Sequence, residues 1–222
     1  LLINDVPGDP GEGKPIVSAQ NALLGNVNPK WLGTITNNVT FKGLTLGFQV
    51  DIKQGGDIWN GTRGATSYFG TSQETANRGT SNVFQGLLGH LDAQGNVVHF
   101  APDGVTEIAG PGTANTASTL YDQYYWQNIG SSFIGPSEQS VEDASYVKLR
   151  QISLSIALPK KVLGSKFNAV SFTVYANNII LSTNYSGVDP ETNLAGPANG
   201  QGLDYFNNPS TKNFGARLNI GL

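Results

Sequence analysis

The sequence predicts an antiparallel all-β protein. Apolar and polar residues alternate over five separate segments, glycines and prolines punctuate the intervals, and no segment carries convincing helical periodicity. A strand shows successive side chains to opposite faces, so each segment has one oily face and one that prefers water. In the final stretch, NFGARLNIGL, Phe214, Ala216, Leu218, Ile220 and Leu222 alternate with Asn213, Gly215, Arg217, Asn219 and Gly221.

The strands follow in order. The first, about 31–41, sets Trp31, Ile35, Val39 and Phe41 against Thr34, Thr36, Asn38 and Thr40, with Asn37 as the one blemish in the apolar row. Lys42-Gly43 reads as a two-residue turn. The second strand, about 44–54, then carries Leu44, Leu46, Phe48, Val50 and Ile52 against Gly47, Gln49, Asp51 and Lys53. Residues flanking a two-residue hairpin turn lie opposite each other, so Phe41 and Leu44 bring the two apolar faces into coincidence. A third strand, about 145–158, resumes the pattern at Tyr146, with Ile152, Leu154, Ile156 and Leu158 in its apolar row before Pro159. The fourth, about 168–182, sets Val170, Phe172, Val174 and Ala176 against Ser171, Thr173, Tyr175 and Asn177, and the fifth spans about 212–222. Between them lie segments rich in Gly, Thr, Asn and Ser at about 1–29, 55–143 and 183–211, where LLGHLDAQGNVVHF predicts a small hairpin turning at Asp92-Ala93-Gln94-Gly95.

Bulk composition narrows the function classes. With 13 basic against 16 acidic residues among 222, the net charge of −3 offers no field for nucleic acid. The chain has no Cys, which removes disulfides and thiolate metal sites. It has no Met and opens without a signal peptide's basic start, so it reads as part of something longer or as a processed product. No apolar run approaches the ~20 residues of a transmembrane helix, which leaves a closed β-barrel as the way to span a bilayer.

Pattern alone leaves two architectures open: strands of an outer-membrane barrel, or a secreted β-sandwich. Short turns at 42–43 and 159–166 alternate with long loops, as short periplasmic turns and long extracellular loops do in a barrel. Trp31 and Tyr146 at the loop side, with Phe41 and Phe167 at the turn side, fit interfacial girdles. On this reading Gln49, Asp51, Arg217 and Asn219 face a wet lumen. Five strands cannot close such a barrel, so the remaining wall lies elsewhere.

No motif predicts catalysis, a metal or a cofactor. GDPGEGKP, residues 8–15, nearly matches a phosphate-binding loop, but Pro15 stands where a magnesium-binding hydroxyl belongs and IVSAQNALLG behind it is only weakly helical. His90 and His99 would need Asp92 or Asp103 to complete a metal site, and exposed loop histidines explain them more simply. Asp189-Pro190-Glu191 suits calcium less well than a turn built on Asp before Pro. No serine sits in a nucleophile-elbow sequence, and the scattered acids form no recognisable pair. The densest aromatic patch is YDQYYW, where Tyr121, Tyr124, Tyr125 and Trp126 flank Asp122 and Gln123; flat rings beside hydrogen-bonding groups suit contact with a substrate or a partner protein.

Three stretches resemble the C-terminal barrel region of the SusC/RagA family of TonB-dependent outer-membrane transporters. GNVNPKWLGTITNNVTFKGLTLGFQVDIKQGGDIWNGT, residues 25–62, is similar to the family's Asn-Pro-x-Trp strand, Lys-Gly hairpin and Asp-x-x-x-Gly-Gly exit. EDASYVKLRQISLSIALPKKVL, residues 142–163, resembles its Asp-x-Ser-aromatic strand ending in Leu-Pro. VYANNIILSTNYSGVDPETN, residues 174–193, resembles its Asn-rich run before Tyr-x-Gly-x-Asp-Pro-Glu. The chain departs from the pattern in lacking plug and TonB-box sequences and in ending on Leu222 rather than an aromatic.

The resemblance implies the last strands of a barrel of about 22 strands with long extracellular loops. It implies active import of an oligosaccharide or peptide across the outer membrane of a Gram-negative bacterium of Bacteroidetes type. It also implies a SusD/RagB-like surface lipoprotein lid, a TonB complex acting through an N-terminal plug outside this chain, outer-membrane lipid around the wall, and a dimer of transporter–lipoprotein pairs. The competing reading is a secreted β-sandwich that binds glycans or serves as an adhesive module.

Overall fold

The computed structural model describes residues 1–164, 166–196 and 200–221. It divides into two compact units, one of residues 25–59 and 142–222, the other of residues 1–24 and 60–141.

The first unit is dominated by a five-stranded antiparallel sheet of β1 (Trp31–Phe41), β2 (Leu44–Gln54), β3 (Tyr146–Ala157), β4 (Ala169–Thr183) and β5 (Asn213–Gly221), in the order β5-β4-β3-β2-β1. Lys42 and Gly43 both adopt positive φ, 48° and 86°, the signature of a type I′ turn whose twist matches that of the strands it joins. Phe41 faces Leu44 across it, and the register continues through Val39 with Leu46 and Ile35 with Val50. Asn37 falls opposite Phe48, inside the apolar row. On β5, Phe214, Ala216, Leu218 and Ile220 pair with Ala176, Val174, Phe172 and Val170. Leu222, expected at the end of this row, lies outside the described residues.

The third strand departs from simple alternation. Its register with both neighbours shifts between Leu149 and Gln151, in opposite senses: against β2 Arg150 is an extra residue of β3, whereas against β4 the extra residue lies in β4. A bulge of this kind changes which parity faces which side. Beyond it Ile152, Leu154 and Ile156 pair with Phe48, Leu46 and Leu44; before it Leu149 and Val147 pair with Val50 and Ile52. The apolar row is thus 147, 149, 152, 154, 156, and strict alternation back from Ile152 would have turned Arg150, Lys148 and Tyr146 into it. Tyr146, expected among the apolar girdle residues, instead pairs with Lys53 on the polar face and is buried. In β4 two residues, Asn178 and Ile179, span the step that Arg150 spans in β3, and Asn178 has a φ of 53°.

The apolar face is uncovered. Leu46 is 41% exposed, Phe172 46% and Phe214 76%, while a compact core of Ile58, Ala144 and Tyr185 sits beside the sheet rather than on it. There the short strands Asp57–Asn60, Val141–Asp143 and Leu203–Asp204 form a small sheet, and the Tyr185 hydroxyl donates to Asp204 Oδ2 at 2.6 Å. The Gly215 position in β5 has a local cause: a Cβ there would lie 2.4 Å from the Tyr175 ring, which covers the glycine backbone.

The second unit contains the long segment read from sequence as irregular, and it is more structured than that reading. Helices α1 (Gly61–Tyr68) and α2 (Gln123–Asn128) are capped by Asn60 and Asp122, whose side chains accept from Arg63 N and Tyr125 N. At eight and six residues they are too short to show a period, so capping and packing carry them. His90–Leu91, Val97–Phe100 and Glu107–Ala109 form a three-stranded sheet, with the first hairpin closing at Asp92-Gly95. The stretch IVSAQNALLG forms no helix. Among the described residues no helix is long and apolar enough to cross a membrane.

Candidate functional site

The most developed polar site lies on the polar face of the sheet, where the bulge delivers Lys148 and Arg150. Lys148 Nζ donates to Asp189 Oδ1 and Oδ2 at 3.1 and 3.0 Å, to Ser210 Oγ at 3.3 Å, and to Glu191 Oε2. Its side chain is 1% exposed and that of Asp189 3%. Arg150 grips Glu191 with two nitrogens, at 2.6 and 3.0 Å, and turns Nε to Asp51 Oδ2 at 2.7 Å. Tyr146 OH donates to Glu191 Oε1 at 2.7 Å, and Asp51 also accepts from Thr34 and Gln49.

The carboxylates arrive on a turn that their own motif builds. Asp189 Oδ1 accepts the Glu191 amide at 3.0 Å across Pro190, its carbonyl accepts Thr192 N at 3.1 Å, and Ser210 Oγ donates to its other oxygen. Burial would raise the Glu191 carboxyl, but Arg150, Lys148 and Tyr146 outweigh it and hold the group at about 2. Burial likewise opposes ionisation of Asp189, and Ser210, the Glu191 amide and Lys148 together bring it below its ordinary value. The cluster is therefore ionised, with two cations against three carboxylates. Charges withdrawn this far from water persist only when paired and hydrogen-bonded throughout.

This arrangement ties residues 189–191 and 210 to the sheet wall. Ammonium and guanidinium groups occupy the carboxylates that a calcium ion would need, so Asp189-Pro190-Glu191 is the turn that its sequence suggests. Gln49 and Asp51 belong to this network. Arg217 and Asn219 lie further along the same face, opposite Thr173 and Ser171. Lys148, Arg150 and Tyr146 escape an alternation-based reading because the bulge moves them. The signal available in the sequence is the change of apolar parity between Leu149 and Ile152.

In the other unit, α2 sorts the aromatic patch. Tyr121 meets Tyr125 at 4.8 Å and Trp126 at 6.2 Å, and Phe84 packs on both Tyr121 and Tyr125. Tyr124 points elsewhere, with Lys14 Nζ 5.7 Å from its ring centre. That lysine is buried, donates to Pro10 O at 3.0 Å and pairs with Asp122 at 3.1 Å, so the GDPGEGKP loop spends its cation internally. Tyr121, Trp126, Asp122, Gln123 and Gln127 line an open groove of about 600 Å³ together with Tyr68, Phe69 and Arg78.

The histidines do not converge. His90 is buried, stacked on Phe100 at 4.6 Å, with Nδ1 2.7 Å from Asp5 and Nε2 3.3 Å from Glu107. Burial would lower its pKa, but the two carboxylates raise it. His99 Nδ1 lies 2.8 Å from Gly110 O, and Asp92 and Asp103 are occupied by the turns they cap. Among the described residues no group of three metal-ligating side chains forms.

No family model matches the chain. It is 29% identical over 124 residues to TonB-dependent receptor P3 of Formosa agariphila, an alignment covering 50% of this chain and 12% of that protein. Its fold matches the RagAB peptide importer in the open-open state with a TM-score of 0.52 at 17% identity, over 98% of this chain and 20% of the other. The closed-closed state matches with a TM-score of 0.51 at 18% identity, over 97% and 20%. The chain therefore spans about an eighth of the curated relative's length and a fifth of the importer chains'. In sequence through the one and in fold through the other, the chain is similar to part of a SusC/RagA-type TonB-dependent transporter.

Proposed function

We propose that this chain forms a section of the wall and mouth of an outer-membrane nutrient importer of the SusC/RagA kind. The observation that carries the reading is the five-stranded sheet with one continuous apolar face left uncovered and an ionised network on the other. A soluble sandwich would bury that apolar face beneath a second sheet. In a barrel wall the apolar face meets lipid and the network faces the lumen. Strands β1 and β5 are edges of the described sheet, and in a closed barrel of about 22 strands each would pair with a neighbour outside this chain. On this reading residues 1–29, 55–143 and 183–211 are extracellular loops, and Gln49, Asp51, Arg217 and Asn219 line the lumen.

The cargo is an oligosaccharide or a peptide, too large for passive diffusion. A plug outside these residues couples the barrel to a TonB complex, and a SusD/RagB-like lipoprotein covers the mouth, with paired transporter–lipoprotein units as the larger assembly. Tyr121 and Trp126 serve substrate or partner contact, while Tyr124 and Tyr125 support the loop. Fractionation tests the reading: an epitope-tagged protein should remain in the outer-membrane pellet after carbonate washing and require detergent for extraction. Recovery as a stable monomer in detergent-free buffer overturns the barrel and returns the sandwich.

A further inference from the structure

The groove beside α2 has a lining of unusual chemistry. Two ring clusters border it. Tyr68 and Phe69 meet edge to face at 5.0 Å, with Phe133 5.0 and 5.6 Å from them; Tyr121 and Trp126 form the other, braced by Tyr125. Phe69 is 65% exposed, a large apolar ring held at the surface. The remaining lining groups are glycines, one serine, two planar amides, a carboxylate and a guanidinium, with no aliphatic side chain among them. Helical and strand-adding peptides need aliphatic pockets or an open strand edge. Aromatic-lined grooves take proline-rich peptides as well as sugars, so peptide stands as the competing ligand in the test below. Flat rings alternating with planar hydrogen-bonding groups match the C–H faces and hydroxyl edges of a sugar ring.

Charge refines the ligand. Asp122 spends one oxygen on Lys14 at 3.1 Å and the other on the Tyr125 amide at 2.8 Å. Arg78 lines the groove and its guanidinium donates to Gly70 O at 3.1 Å; among the described residues no carboxylate pairs with it. The uncompensated charge of the groove is therefore positive and planar, suited to a bidentate anion. We infer that the groove bordered by Phe69, Arg78, Tyr121 and Trp126 is a binding subsite for an acidic oligosaccharide, stacking a pyranose ring on the aromatic side chains and pairing its carboxylate or sulfate ester with Arg78. Gln123 and Gln127 take hydroxyls beside it. The inference rests on the importer reading and names the substrate class for this loop unit.

The test uses the intact transporter purified in detergent. Titrations with hexagalacturonate, a sulfated carrageenan hexasaccharide, cellohexaose and an acidic hexapeptide are compared across the parent, Phe69→Ala, Arg78→Gln and Trp126→Ala. Phe69 and Arg78 are exposed, and thermal melting checks that all three variants keep the parent's fold. The expected result is saturable binding of one acidic saccharide, weakened about tenfold or more by Phe69→Ala and Arg78→Gln. Which of the two acidic probes binds separates uronate from sulfate recognition. Peptide binding that the same variants abolish, cellohexaose binding as tight as the acidic sugars, saccharide binding indifferent to Arg78→Gln, or no saccharide binding at millimolar concentration each overturns it. Because the assay reads binding alone, a detergent-dependent protein that ignores sugars refutes the subsite while leaving the importer standing.

Discussion

Lys148 Nζ lies 3.0 Å from Asp189 Oδ2 with both side chains almost entirely withdrawn from water, although they are separated by 41 residues of sequence. The pair fastens a long loop to the sheet wall at the point where a bulge changes the facing of β3. Its burial makes it costly to break from one side only.

Lys148→Met leaves Asp189 and Glu191 without their shared cation. The expected loss is about 3–5 kcal/mol of stability, read as a lower denaturant midpoint and early proteolysis within residues 184–211. Adding Asp189→Leu to Lys148→Met should recover part of that loss, because an apolar replacement of the whole pair removes the unpaired charge. A single mutant as stable as the parent would show the pair to be ornamental.

Acid should loosen the same loop. Glu191 is held at about 2 against an ordinary 4.5, so its folded-state pKa is depressed. Its stabilising contribution is complete above about 4.5 and declines as pH falls toward about 2, since protonation then favours the released form. Loop protection measured by hydrogen exchange should fall across that window, and Glu191→Gln should flatten the dependence. Asp189, shifted in the same direction, contributes over the acidic side of the carboxylate range.

Charge placement separates the two faces of the sheet. Leu46→Arg and Leu154→Arg put a guanidinium on the uncovered apolar face, with an expected cost of about 2–4 kcal/mol in lipid. Gln49→Arg, on the network side, should cost far less. Folded yield in bilayers, scored by heat-modifiable gel mobility, compares the three. Equal tolerance would contradict the assignment of faces.

In the loop unit, His90 titrates in the opposite sense. Its pKa is raised by Asp5 and Glu107, so the contribution of the protonated ring is complete below about 6.5, the ordinary value, and is lost as pH rises through the elevated folded value. The Asp5 carboxylate also accepts the Phe100 amide at 3.0 Å, which joins the N-terminal segment to the hairpin. Proteolytic cleavage near Asp5 should therefore accelerate as pH rises above the ordinary imidazole value and through the elevated one, and His90→Gln should remove the pH dependence.

Much of the sheet is legible in local sequence because a strand's period is two, and a one-residue slip would move the whole apolar row to the polar face. Phe41 and Leu44 around Lys42-Gly43 are enough to align β1 with β2, and the alternation of Phe214 to Ile220 orients β5. The small hairpin at Asp92-Gly95 is legible for the same reason, since its turn chemistry is contained in a few neighbouring residues. Helices α1 and α2 are not, because one or two turns show no periodicity and depend on caps and packing.

The candidate sites divide along the same line. Sequence alone determined that Gln49, Asp51, Arg217 and Asn219 share the polar parity, and that Tyr121 and Trp126 belong to an aromatic cluster. Only the tertiary structure decided that Arg150 is the extra residue of a bulge and that Lys148 therefore turns away from the apolar row toward Asp189 and Glu191. It alone brought Phe69 and Arg78 to the groove beside Trp126. The physical reason is range: alternation is written into adjacent residues. A buried ion pair or a lined groove depends on where distant segments meet, and a one-residue register shift reverses every facing beyond it.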